Sequence, residues 1–284
     1  MTLEPTLTTF SPEDMESFLP EMKIGMLATI NPDGEPHLTL ISTLQASSPT
    51  QMTWGQFTEG LSKAYIRANP RVGWMIMSLQ KEVWRGKATF THTSRQGPDY
   101  ERYNQIPMFR YNAYFGVHTV YYMDLVAHSG KEPLPMGAVV FGAVQTMLAR
   151  LLHRDPEPDA VLNPYTRTLF NKVDNLKYLA YIDADGYPAV LPCIQAQAYD
   201  SSRLAFTFSA YGEQLGRIPA GARVAVYGMT LGMETVLVRG TYAGVRRPAG
   251  YQLGVVDVDW VYNAMPPVPG QIYPPVPLEA VESW

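Results

Sequence analysis

Apolar and polar positions alternate in short runs along most of this chain, and turn residues break the runs. Residues 37–44 set Leu38, Leu40 and Leu44 between polar neighbours, the period-two pattern of a strand with one buried face. Residues 52–57, 72–79, 83–92 and 114–126 read as further strands, the last rich in Tyr and Val. Asp33-Gly34 separates the strand that opens at Ile24 from the one that begins at His37. Asp-Gly between apolar runs predicts a hairpin, because glycine takes positive φ without steric cost. Residues 61–68 predict one short helix. Asn69-Pro70 ends it, since a residue before proline avoids the α region. The apolar stretch 136–152 holds Gln145, Thr146 and Arg150 and falls short of the roughly 20 apolar residues of a bilayer span. It predicts a buried or interface helix. Many short strands with brief helices predict a mainly β, small-barrel architecture.

The pattern also repeats. Leu27-Ala28-Thr29-Ile30-Asn31-Pro32-Asp33-Gly34-Glu35-Pro36 reads against Leu179-Ala180-Tyr181-Ile182-Asp183-Ala184-Asp185-Gly186-Tyr187-Pro188, a shift of 152 positions from 27 to 179. The same shift carries Arg71-Val72 onto Arg223-Val224, and a shift of 154 carries Arg85-Gly86 onto Arg239-Gly240. A loop absorbs the difference. The second copy then closes with a strand over 253–262, the counterpart of 114–126. Residues 154–159 read Arg-Asp-Pro-Glu-Pro-Asp, a linker composition, so two domains are expected: 1–158 with the 136–152 helix, and 159–284 with a proline-rich tail. That tail is read as an extended segment packed on its own domain, with a polyproline ligand as the rival reading.

An ordered set in the first copy carries candidate chemistry. The Asp-Gly turn is followed by His37-Leu38-Thr39-Leu40-Ile41-Ser42, then Thr53-Trp54-Gly55-Gln56-Phe57-Thr58, a Ser62-Lys63 pair, Asn69-Pro70-Arg71-Val72 and Trp84-Arg85-Gly86. A helix start at 61 offers free N–H groups and a positive dipole end, which suit a phosphate. Ser62 adds a hydroxyl donor and Lys63 a full positive charge. Arg67, four residues on, shares Lys63's helical face. In the second copy the shift of 152 puts Gln214, Leu215 and Pro219 at these positions, with Glu213 adjacent. An anion meets attraction in the first copy and repulsion in the second.

This set resembles the pyridoxamine-5′-phosphate-oxidase-like FMN split-barrel superfamily, over residues 20–126 and more weakly over 170–262. The resemblance implies two tandem six-stranded split barrels of the α+β kind, each with a groove at the barrel edge. It implies FMN in the first groove, completed by a second barrel. Carried onto this chain, the resemblance implies that His37, Thr39 and Ile41 sit where the ring edge is lined, Thr53, Trp54, Gly55 and Gln56 on the neighbouring strand, and Ser62 and Lys63 at the phosphate, within reach of Arg67 by its helical spacing. Trp54, Trp84, Tyr111 and Tyr114 are expected on the open face, where a flat small-molecule substrate stacks. The expected activity is flavin-dependent oxidoreduction with no named catalytic residue. A non-enzymatic module that binds flavin, deazaflavin or haem is the alternative. The oxidase that makes pyridoxal phosphate is not expected: relatives of that kind grip their substrate with an Arg-x-His element near the C-terminus, and here residues 248–284 hold no Lys, Arg or His. Copy two is expected to have lost the cofactor and to cover copy one's groove, while a homodimer through copy one stays open.

Composition narrows the partners. A chain of 284 residues with 46% hydrophobic content and net charge −4 has the profile of a globular protein and lacks the basic excess of a nucleic-acid binder. The start, Met1-Thr2-Leu3-Glu4-Pro5, has neither a basic nor an apolar run, so no secretory signal is expected. The single cysteine, Cys193, excludes an intrachain disulfide, fits a cytoplasmic setting, and is expected to be buried. His37, His92, His118, His128 and His153 show no metal-ligand spacing, so no metal is expected.

Overall fold

A computed structural model describes residues 4–106, 116–153, 160–264 and 269–277. By contacts the chain divides into unit 1, Met1–Leu134 with Ala184–Val190, and unit 2, Pro135–Asp183 with Leu191–Trp284.

The first copy opens with helix α1 (Pro12–Ser17) and strands β1 (Ile24–Ile30), β2 (Pro36–Leu40), β3 (Gln45–Ser48) and β4 (Gln51–Gln56). Helix α2 (Leu61–Ala68), strands β5 (Arg71–Met77) and β6 (Glu82–Ser94), helix α3 (Pro98–Gln105), β7 (Thr119–His128) and β8 (Glu132–Pro133) complete it. The strands form one antiparallel sheet in the order β2-β1-β5-β6-β7-β4-β3, with β8 on β6, curled into a half-barrel. The Asp33-Gly34 turn forms as read. Gly34 has φ 80°, and the Asn31 side chain accepts from the N–H groups of Asp33 and Glu35.

After the helix α4 (Met136–Leu151) and α5 (Pro164–Asn171), the second copy runs β9 (Leu176–Ile182), β10 (Pro188–Pro192), β11 (Gln197–Ala198), β12 (Arg203–Thr207), α6 (Gly212–Gly216), β13 (Arg223–Met229), β14 (Thr235–Arg246), β15 (Leu253–Asn263) and β16 (Gly270–Tyr273). Its order is β10-β9-β13-β14-β15-β12-β11, with β16 on β15. The two sheets repeat one topology. Each is eight-stranded: the six expected strands and two short additions, β3 and β8 in one, β11 and β16 in the other. Within the proline-rich tail, Gly270–Tyr273 forms β16 against β15.

Alternation explains which face is buried. Leu27, Trp54, Trp74, Trp84 and Tyr121 fill the inside of the first half-barrel, and Phe10 and Phe18 close it from the α1 side. Helix α1 escaped the periodicity reading because it is short. Its signal is local: Ser11 and Asp14 form a capping box, with Pro12 in the first turn. The copies differ most between their last two long strands. Residues 95–118, which carry α3, stand where the second copy has only residues 247–252.

Candidate functional site

Strand β4 delivers Gln56 to a four-residue bend, 57–60, from which α2 starts at Leu61. Gly60 caps α2 in extended conformation, φ 170°, and no side chain caps the helix. The Lys63 N–H turns back to the Gly60 carbonyl at 3.1 Å, and the N–H groups of Leu61 and Ser62 remain available. Ser62 is 1% exposed, and its Oγ has no hydrogen-bond partner among the described residues. Lys63 is 7% exposed. Its ammonium folds back over the helix start, with Nζ 3.5 Å from where a Gly60 Cβ would stand and 6.0 Å from the Trp54 ring centroid. Burial pulls the Lys63 pKa below the usual lysine value, and the Glu59 carboxylate partly opposes that shift. A buried hydroxyl without a partner and a desolvated cation are both costly as they stand, and an anion would satisfy both.

A second chain of contacts fixes the surroundings. Arg67 donates to the Tyr121 hydroxyl at 3.0 Å, that hydroxyl donates to Gln56 Oε1 at 3.2 Å, and Gln56 Nε2 donates to Glu59 at 2.8 Å. Tyr121 stacks on Trp54 with centroids 4.0 Å apart. Lys63 and Arg67 thus sit over one stacked pair, Arg67 at 5.9 Å from the Tyr121 centroid.

Lys63 lines a cleft of about 90 Å³ together with residues 40–43 and 55–58. Of the residues singled out from the sequence, Ile41, Gly55, Gln56 and Lys63 meet in this cleft. Ser62 stands next to Lys63 at the start of α2, and the remaining residues are not part of the cleft lining. His37 is buried edge-on to Tyr65 of α2, centroids 5.3 Å apart. Thr39 is half-buried on β2 opposite Leu27. Thr53 shares a hydrogen bond with the Tyr103 hydroxyl. Arg67 is exposed.

The two tryptophans expected on an open face are instead wholly inside the core. Trp54 lies beneath the cations, and Trp84 packs edge-on to Phe18 and donates its indole N–H to Asp14 at 2.7 Å. Their strand positions point inward, and each buries a large apolar area there. Tyr111 and Tyr114 lie outside the described residues.

Sequence reading missed Thr43 and Tyr103. Thr43 Oγ1 donates to the Gly55 carbonyl and accepts from the Gly55 N–H, both at 3.0 Å, which clamps the two walls of the cleft. In unit 2 the equivalent residue, Gln195, does the same work by donating to the carbonyls of Thr207 and Ala210. A polar residue within an apparent strand was the only signal.

Unit 2 offers no comparable cation in its matching helix. Gln214 and Leu215 of α6 are buried, and Glu213 engages Arg217 at 2.8 Å. Cys193 is fully buried, and burial pushes its thiol pKa up. Among the described residues no three His, Cys, Asp or Glu side chains gather as for a metal, and no helix is long and apolar enough to cross a membrane.

No family model matches the chain, and no curated protein matches it. Solved structures do. An FMN-binding protein from Syntrophomonas wolfei subsp. wolfei matches at 12% identity and TM-score 0.37, over 40% of this chain and 81% of that one. An F420 reductase matches at 20% identity and TM-score 0.33, over 42% and 98%. A FAD-binding protein from Mesorhizobium loti matches at 15% identity and TM-score 0.28, over 42% and 94%.

Proposed function

We propose that unit 1 holds a phosphorylated flavin, FMN, with its phosphate against the amino end of α2, and that the protein is a flavin-dependent oxidoreductase of small molecules in the cytoplasm. The observation that carries the reading is the pair Ser62 and Lys63. A hydroxyl 1% exposed without a partner and an ammonium 7% exposed stand side by side at an uncapped helix start. These groups fit a phosphate: N–H donors, a hydroxyl donor and a cation converge, and among the described residues no carboxylate forms an ion pair with Lys63. The walls at Ile41 and Gly55–Gln56, braced by Thr43, supply the near end of a groove for the attached chain. When bound, a flavin supplies hydride transfer, while the protein's residues supply binding, orientation and electrostatics.

Glu59 tempers the site. Its carboxylate is held by Gln56, so it stays near Lys63 and lowers the net positive charge that an anion meets.

The decisive test is the absorption spectrum of the protein as purified, with mass identification of any released ligand. A yellow protein that releases FMN supports the reading, and bleaching by a nicotinamide cofactor supports the reductase. A colourless protein that takes up no FMN overturns it. Lys63→Ala should weaken FMN binding at least tenfold, read by quenching of flavin fluorescence, because it removes a charge-assisted contact. An unchanged dissociation constant would remove Lys63 from the site.

A further inference from the structure

The cleft beside Lys63 measures about 90 Å³, whereas pockets for drug-sized ligands run to roughly 300–1,000 Å³. It seats a phosphate and the first atoms attached to it, not a three-ring system. The face of β4 on which the ring is expected is covered by the chain itself. Tyr103 of α3 is fully buried there, its hydroxyl 3.0 Å from Thr53 Oγ1 and donating to the Thr43 carbonyl at 2.9 Å. Next along the strand, a Cβ on Gly55 would stand 2.6 Å from Val117 Cγ2. Asn104 holds Val117 in place through two hydrogen bonds, at 2.9 and 3.0 Å.

The cover is lightly anchored. Helix α3 has eight residues, too few to be stable in water by itself. Tyr103 is its one buried residue. Beyond Tyr103, it is held by Arg102, which donates to Gln45 at 3.0 Å, by Asn104 on Val117, and by the partly buried Tyr100 and Ile106. It starts at Gly97, whose φ of 96° lies where other residues are strained and where glycine turns freely.

Unit 2 covers its matching strand differently. There α4, sixteen residues long, lies so close that a Cβ on Gly142 would collide with Ser209 Oγ and Thr207 Oγ1, and Gln197 donates to the Ala143 carbonyl at 2.9 Å. Ala149 packs with Ala205 in one apolar cluster. That cover is a long helix docked through its backbone. The cover in unit 1 is a two-turn helix whose one buried side chain is Tyr103.

We propose that Tyr103 is the residue that decides access to the flavin site. With its hydroxyl bonded to Thr53 and Thr43, α3 occupies the ring face and only the phosphate end is open. When Tyr103 withdraws, α3 swings about Gly97 and the ring face of β4 is exposed. The inference rests on the flavin reading above and adds its regulation. The ligand binds an open form, so apparent affinity is the intrinsic affinity scaled by the open fraction.

The test is FMN binding by stopped-flow fluorescence to the wild type, Tyr103→Phe, Arg102→Ala and Lys63→Ala. Tyr103→Phe keeps the ring's bulk and removes two hydrogen bonds, each worth roughly a factor of two to ten in an equilibrium. It should raise the FMN association rate and affinity about tenfold. Arg102→Ala removes a tether outside the core and should act in the same direction by about threefold, which guards against a misfolded tyrosine variant. FMN should also speed tryptic cleavage at Arg102 in the wild type as the helix lifts. If Tyr103→Phe and Arg102→Ala bind FMN with wild-type rate and affinity while Lys63→Ala binds more weakly, the gate is overturned and the flavin site stands. If none of the four binds FMN, both fall.

Discussion

Position 177 holds a lysine with no exposed surface, where the first copy has Gly25. Its ammonium donates to the Lys172 carbonyl, and burial drives its pKa from 10.5 down to about 8. Lys23 of unit 1, 7% exposed and donating to the Pro20 carbonyl, is lowered to about 8 by the same cause. In both, the unfolded chain holds the proton up to about 10.5 while the folded chain releases it near 8. The unfolded state therefore binds more protons between those values, and stability rises with pH across that window. Buried tyrosines act the other way higher up: Tyr227, raised to about 12, and Tyr103 and Tyr178, raised further, keep protons that unfolded tyrosines lose above about 10. Urea midpoints should thus climb from pH 8 to 10. At about 1.4 kcal/mol per pKa unit, each lysine contributes on the order of 2–3 kcal/mol over that range. Lys177→Met should flatten the climb by its share. An equal slope in wild type and variant would mean that Lys177 is not desolvated as described.

Among the elements, α2 was legible in the sequence to the residue: Leu61–Ala68 ends at Asn69, which takes an extended conformation, φ −133°, because Pro70 follows. The helix α4 was also legible as an apolar run with a few polar positions. Its buried side was not. Val139, Gly142, Ala143, Thr146 and Ala149 are buried, so the docking face is made of small residues, while the bulkier Phe141, Val144 and Leu148 are exposed. Hydrophobicity alone would have turned the helix round. The reason is distance: only small side chains let α4 approach β11 and β12 closely enough for Gln197 to reach the Ala143 carbonyl and for Gly142 to abut Thr207. Gly142→Val should then overpack this contact and lower stability by about 1–3 kcal/mol in urea unfolding. A variant as stable as the wild type would contradict so close an approach. Helix α3 left almost no trace in the sequence, since eight residues with a single buried tyrosine produce no periodic signal.

Taken whole, the chain is one strand order used twice with unequal fittings. The cation–hydroxyl pair exists at the start of α2, whereas α6 brings Glu213, Gln214 and Leu215 to the matching place. Titration with FMN should therefore saturate at one ligand per chain, and a plateau at two would show that unit 2 binds as well. The repeat and the hairpins were written in local chemistry: Asp-Gly takes the left-handed turn in both copies, with φ 80° at Gly34 and Gly186, and alternation sets the strand faces. The residues at the start of α2 were readable too, because a helix start and its donors are adjacent in sequence. Which residues share the cleft was not readable. Thr43 meets Gly55 across twelve positions and Tyr103 meets Thr53 across fifty, and only the closed sheet brings them together. Trp54 and Trp84 were assigned to an open face for the same reason. A strand's pattern says that alternate residues share a side, and packing of the whole barrel decides which side is the inside.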